Sequence, residues 1–202
     1  MTIQKMGYKA VSLTGWQAGF QTNDFYGKAQ ILDIDTSRMK EEIAKGNILV
    51  IAGFQGLDRH GNLTTLGRGG SDTSAVAIAA AMKAEKCQIF TDVDGVYTTD
   101  PRIVPAARKI ETISFDEMLE FASLGAGVLH NRSVELAKKY HVDLEVAASY
   151  DRHAKTKVLE VEAVEQVLVR GVTKDDDVAR ITVEGVPDVP GIASAIFSVL
   201  AD

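Results

Sequence analysis

Thr65-Leu66-Gly67-Arg68-Gly69-Gly70-Ser71-Asp72-Thr73-Ser74 is a glycine-rich turn that runs without pause into an alanine-rich helix, Ala75 to Ala84. Three glycines within four positions let backbone pass close to a ligand, because no side chain holds the ligand off. Ser71 or Asp72 is a good N-cap for the helix. A helix start exposes free N–H groups and the positive end of the helix dipole, which suits an anion. Arg68 adds a planar, permanently charged fork matched to a carboxylate or phosphate. Asp72 sets a charge of opposite sign beside it. The pairing is that of a site where charge is handled rather than merely neutralised.

Working outward, the chain alternates strands and helices. Upstream, Leu57 to Thr65 with His60-Gly61-Asn62 at its centre has the pattern of a hairpin. Asn47 to Gly53 is a continuous apolar run, the pattern of a strand buried on both faces of a parallel sheet. It ends in Gly53-Phe54-Gln55-Gly56, and ligands in open α/β sheets gather outside such carboxyl ends. Thr36 to Lys45 is predicted helical, capped by Thr36 or Ser37 and stopped by Gly46. Ile31 to Ile34 is a short strand, and Lys5 to Leu13 a helix end followed by a strand. Thr14 to Gly19 is a loop in which Trp16 is expected to be a core anchor.

Downstream, Gln88 to Asp92 is a second buried strand leading into Asp92-Val-Asp-Gly-Val-Tyr97-Thr98-Thr99-Asp100-Pro101-Arg102. Tyr97 and Arg102 give this strand-end loop the parts to stack a base and grip phosphates. Ser114 followed three residues later by Glu117 is a capping box, predicting a helix from Phe115 to Ser123. Gly125-Ala126-Gly127 breaks it; Arg132 to Tyr140 is a further helix, and Val142 to Ala147 the next strand. The order strand, helix, strand, helix predicts an α/β sandwich. Ser149 to Lys157 has linker composition. From Val167 a new unit is predicted: strands Leu168 to Val172 and Ala179 to Glu184, then an amphipathic helix Ile192 to Leu200. A unit of about 35 residues is too small to bury a core of its own.

Composition narrows the function. The 202 residues carry a net charge of −6, 46% hydrophobic and 25% charged, the balance of a soluble domain. That charge argues against nucleic acid or an anionic membrane as partner, so a phosphorylated ligand must be met by a local basic group. One cysteine, Cys87, excludes an internal disulfide framework. No apolar run is long enough to span a bilayer, and a cytoplasmic setting is the expectation. The histidines at 60, 130, 141 and 153 have no metal-ligand spacing, so no protein-bound metal is predicted. Gly-x-Ser-x-Gly and a Walker A loop are both missing. Nucleotide binding here needs another scheme.

Taken together, four stretches resemble the aspartate kinases of the amino-acid kinase family. They are Gly53 to Gly56, Thr65 to Ala75, Thr91 to Arg102, and Gly125-Ala-Gly-Val-Leu-His130, in matching order and spacing. The resemblance extends over essentially the whole chain. It implies a three-layer α/β/α sandwich with a mostly parallel sheet, and transfer of the ATP γ-phosphoryl group to the side-chain carboxylate of L-aspartate. By position it implies Arg68 as the carboxylate clamp, lined by Gly69, Gly70 and Ser71, with Asp72 as the catalytic aspartate. Thr91, Asp92, Tyr97, Thr98, Thr99, Asp100, Pro101 and Arg102 fall on the nucleotide side, with Mg²⁺ accompanying ATP.

The family pattern also opens on a strand ending in Lys-Phe-Gly-Gly, a motif this sequence does not contain. Many members carry a nucleotide-contacting lysine where Gly127 stands. The unit from Val167 resembles the start of an ACT regulatory domain of ferredoxin-like fold. Such domains bind effector amino acids, lysine or threonine, and join homo-oligomers. The expected division is therefore a kinase domain over 1–148, a linker over 149–166 and a partial ACT domain over 167–202, an internal piece of such a kinase. Two rival readings are a kinase for another substrate, such as glutamate, acetylglutamate, carbamate or UMP, and a non-catalytic nucleotide- or amino-acid-binding module of the same fold.

Overall fold

The computed structural model describes residues 2–124, 127–151, 154–161, 169–174, 182–187 and 189–201. In chain order the elements begin with α1 (Thr2–Lys5), β1 (Ala10–Leu13), β2 (Phe20–Thr22), β3 (Ile31–Ile34), α2 (Ser37–Ala44) and β4 (Ile48–Ile51). The hairpin β5 (Gln55–Leu57) and β6 (Leu63–Thr65) follows, then α3 (Gly70–Met82), β7 (Cys87–Thr91), β8 (Val96–Tyr97), β9 (Lys109–Ile110) and β10 (Thr112–Ser114). The remainder is α4 (Phe115–Ser123), α5 (Asn131–Tyr140), β11 (Leu144–Ala148), β12 (Lys155–Leu159) and α6 (Ile192–Ala201).

The strands fall into separate sheets rather than one mostly parallel layer. β1 and β4 pair in parallel. The larger sheet has the order β10-β12-β11-β7, parallel except where β11 meets β12 antiparallel. A third sheet, β3-β2-β5-β6, carries the hairpin, and β8 pairs with β9. β4 and β7 are therefore both edge strands, each lying against α3.

Helix α3 joins two cores. Val76 and Ala79 pack with Ile89, Leu144, Val146 and the α4 and α5 side chains. Ala77, with Ile78 and Met82, packs instead with Leu13, Phe20, Met39, Leu49 and Ile51. A helix buried on two sides needs small apolar residues around its whole circumference, which accounts for the alanine run. α4 begins with the predicted capping box: Ser114 Oγ accepts from the Glu117 N–H at 3.2 Å, and Glu117 Oε2 accepts from the Ser114 N–H at 3.0 Å.

Several expectations need correction. The stretch 149–166 contains β12, whose Thr156 and Val158 are fully buried; alternation of Thr and Val between lysines marks a strand with one face inward. β4 alternates exposed and half-buried residues instead of being covered on both faces, so one of its two faces is left more open than the other. Trp16 is 45% exposed and is no core anchor; the buried residues of that loop are Gly15 and Ala18. α3 starts at Gly70, before Ala75, and its cap is Gly69 rather than Ser71 or Asp72. Of the two strands expected after Val167, residues 169–172 and 182–184 are not in strand conformation, and the rest lie outside the described residues. Among the described residues no helix is long and apolar enough to cross a membrane.

Candidate active site

The glycine turn gains its shape from backbone geometry. Gly69 has φ +70°, left-handed, and the Gly70 N–H donates to Gly67 O at 2.9 Å. A Cβ added at Gly69 would stand 2.2 Å from His130 Cγ, so the imidazole occupies the space that the missing side chain leaves. The helix start is tied back by its own hydroxyls: Thr73 Oγ1 donates to Gly69 O at 2.9 Å, and Ser74 Oγ to Gly70 O at 2.7 Å.

Phe54 sits against this turn in a conformation unusual for a bulky side chain, φ +71°. Two bonds hold it there: its N–H donates to Ser74 Oγ at 2.9 Å, and its carbonyl accepts from the Leu66 N–H at 2.9 Å. The ring covers Gly70, where a Cβ would approach Phe54 Cδ2 to 2.7 Å. Strained backbone over-determined in this way gathers at ligand sites. Beside it an open pocket of about 460 Å³ runs between β4 and α3, with Gly53, Ser71 and Ser74 at one end and Leu49, Ile51 and Ile78 on its walls.

The charges of the turn are unequal in their engagement. Arg68 is exposed and makes no hydrogen bond or ion pair among the described residues. Asp72 is half-buried; burial pushes its carboxyl pKa up, and the neighbouring His130 works against that shift. His130 also caps α5, its Nδ1 accepting from the Arg132 N–H at 3.3 Å.

The second predicted cluster lies in the loop after β7. Thr91 Oγ1 donates to Asp92 Oδ1 at 2.9 Å, and Thr91 O accepts from the Ser149 N–H at 2.9 Å. Tyr97 Oη donates to both Asp94 oxygens at 3.0 and 3.1 Å, and Lys109 Nζ reaches Asp94 Oδ2 at 3.2 Å. Burial alone would raise the Asp94 pKa, but the Lys109 and Tyr97 bonds outweigh it and hold the carboxyl below its ordinary value. Arg102 forks onto Asp100, with Nη2 to Oδ2 at 2.8 Å and Nε to Oδ1 at 3.0 Å. That pair lowers the Asp100 pKa. Thr98 bonds Arg108 from both its N–H and its hydroxyl, Thr99 is half-buried, and Pro101 occupies the exposed turn. The two clusters are separate constellations: among the described residues no hydrogen bond or ion pair joins 65–74 to 91–102.

A family model described as "Amino acid kinase family" matches residues 1–147. The chain belongs to the amino acid kinase family. An aspartokinase of Bacillus sp. (strain MGA3) is 54% identical over 202 residues, which is 100% of this chain and 49% of that protein. Among solved structures, E. coli aspartokinase III in complex with aspartate and ADP, in its R-state, aligns with a TM-score of 0.68 at 34% identity, covering 80% of this chain and 37% of that one. Its T-state in complex with lysine and aspartate aligns with a TM-score of 0.59 at 35% identity, covering 77% and 36%. The chain spans about half the length of the curated relatives it matches.

Within this amino acid kinase fold, sequence reasoning passed over three supporting groups. Phe54 and Ser74 clasp the glycine turn, and only the local glycines hint at the left-handed geometry. Arg132 reaches back to the same turn from α5. Thr156, fully buried on β12, anchors the second loop: its Oγ1 accepts from the Val96 N–H at 2.8 Å and donates to Ile110 O at 2.6 Å. Thr156→Val keeps the shape but strips both partners, and is expected to cost about 1–3 kcal/mol in urea unfolding. A loss under about 0.5 kcal/mol would show that the hydroxyl is dispensable.

Proposed function

We propose that this chain carries the amino-acid side of an aspartate kinase, which phosphorylates the side-chain carboxylate of L-aspartate to 4-phospho-L-aspartate, the first step towards lysine, threonine and methionine. The observation that carries the reading is Arg68, an exposed guanidinium without a partner among the described residues, held just before α3 in a chain of the amino acid kinase family. Its planar fork matches a carboxylate in two parallel bonds. Gly69, Gly70 and Ser71 line the same site at the positive end of the helix dipole, with the Gly70 N–H already given to Gly67 O.

In the transfer, a side-chain carboxylate oxygen of aspartate forms a bond to the γ-phosphorus while the bond from that phosphorus to the bridging oxygen breaks. ADP leaves with that electron pair. Such transfer rests on positioning and on neutralising the phosphoryl oxygens. Mg²⁺ enters with ATP as part of the substrate, held mainly by phosphates, and among the described residues no three ligating side chains cluster to hold a metal. Asp72 faces the catalytic side, orienting a lysine on the transferring group. Thr91, Asp92, Tyr97, Thr98, Thr99, Asp100, Pro101 and Arg102 make the nucleotide side, where ATP draws Arg102 from Asp100 onto its phosphates.

The lysine-glycine turn of the family pattern is not within these 202 residues. The chain by itself is therefore proposed to bind aspartate but to turn over orders of magnitude more slowly than a complete kinase. The stretch beyond residue 167 is read as the beginning of an ACT domain, through which lysine or threonine acts on a cytoplasmic homo-oligomer. The test is ATP-dependent trapping of the acyl phosphate by hydroxylamine, comparing this chain with a full-length aspartokinase. Trace aspartyl hydroxamate from the chain is expected, and turnover equal to the full-length enzyme would overturn the half-site reading.

A further inference from the structure

We propose that Arg132 is a positioning residue for the carboxylate clamp, an inference that rests on the reading of Arg68 as that clamp. Arg132 lies in the first turn of α5 and is half-buried. Its Nη1 donates to Leu66 O at 2.8 Å and its Nη2 to Ala29 O at 2.7 Å. One rigid fork thus ties two remote pieces of backbone to a helix whose Val134 and Ala137 are embedded in the main core.

The two carbonyls are well chosen for aiming Arg68. Leu66 is two residues before the clamp, and Gly67 and Gly69, both at positive φ, flank it. With glycines on either side, the Arg68 backbone is stiffened locally only by the Gly70 N–H to Gly67 O bond that closes its turn. Its direction then depends on how the two ends of that turn are held. On the far side that end is α3; on the near side it is Leu66, held by Phe54 O at its N–H and by Arg132 at its carbonyl.

The second carbonyl brings in another segment. The Ala29 N–H donates to Thr65 O at 2.9 Å, and a Cβ at Gly67 would stand 2.7 Å from Gly27 O, so 27–29 lies directly on 65–67. Arg132 closes this sandwich from outside. Both Leu66 and Ala29 are buried residues, so losing the guanidinium leaves two carbonyls without that donor.

Arg132 makes no ion pair among the described residues, so its charge is not spent on a carboxylate. Two mechanisms then need separating: a geometric tether, and a positive field near the anion site. Lysine keeps the charge but, as a single point donor, cannot bridge both carbonyls. The tether predicts that lysine restores little; a field effect predicts that it restores all.

The experiment titrates L-aspartate into the 202-residue chain as wild type, Arg132→Met and Arg132→Lys, with amide exchange followed by NMR in each. Arg132→Met is expected to weaken aspartate roughly tenfold and to speed exchange at the Ala29 and Gly70 amides. Exchange in β7 and β11 stays unchanged. Arg132→Lys is expected to recover only a minor part of the affinity. Wild-type affinity in Arg132→Met, full recovery in Arg132→Lys, or exchange raised equally in β7 and β11 would each overturn the proposal. Should the wild type bind no aspartate, the functional reading fails by itself. The tether then stands or falls on whether Ala29 and Gly70 exchange faster in Arg132→Met.

Discussion

Replacing Arg68 with alanine is expected to weaken L-aspartate binding by about 100-fold while leaving the unfolding midpoint unmoved. The two halves of that result have separate causes. A guanidinium that meets a carboxylate in a fork contributes charge and direction together, and no neighbouring cation stands in the same turn. The side chain is exposed and bonds nothing among the described residues, so the folded state loses little without it. Calorimetric titration with L-aspartate and urea unfolding of the same sample measure both. Undiminished affinity would remove Arg68 from the site, and a large fall in stability would make it a structural residue instead.

Gly69→Ala is expected to act in the opposite way, on stability first. The added Cβ would lie 2.2 Å from His130 Cγ, and φ +70° is unfavourable for any side chain. Left-handed strain and overpacking together amount to about 2–4 kcal/mol. His130→Ala removes the obstruction but not the backbone strain, so the double variant should regain about half of the loss. Urea midpoints of the four proteins give the answer. A Gly69→Ala protein as stable as wild type would mean that the imidazole does not pack on the turn.

Much of this architecture is legible in the residues because local chemistry dictates it. Ser114 and Glu117 specify their capping box within four residues, and the hairpin turn at Asp58 to Asn62 likewise closes on itself. There Asp58 Oδ1 accepts from the His60 and Asn62 N–H groups, both at 2.8 Å. Burial would raise the Asp58 pKa, but the Asn62, Tyr26 and His60 bonds outweigh it and hold the carboxyl well below the usual range. The glycine turn, too, is readable as a turn into a helix, with Gly69 left-handed just before α3.

What the sequence hides is set by distant partners. β12 reads as a linker because two of its five residues are lysines; only pairing with β10 and β11 makes its Thr156 and Val158 inward-facing. β4 reads as doubly buried because it is uniformly apolar, yet one of its two faces is left more open than the other. Trp16 is large and apolar, but the turn places small Ala18 inward instead. In the site, Arg68 and Asp72 are readable because they lie in one short run. Arg132 is not, because its partners Leu66 and Ala29 stand 66 and 103 residues away and are carbonyls, which no side-chain pattern records.

In the proposed kinase the turn at Gly69 to Ser71 holds the carboxylate of L-aspartate. Amide NMR shifts at Gly69, Gly70 and Ser71, followed during titration with L-aspartate and separately with L-glutamate, test it most directly. Saturable shifts at these three amides are expected with L-aspartate, and much weaker ones with L-glutamate. Equal response to both amino acids, or saturation with no movement at the turn, would contradict it.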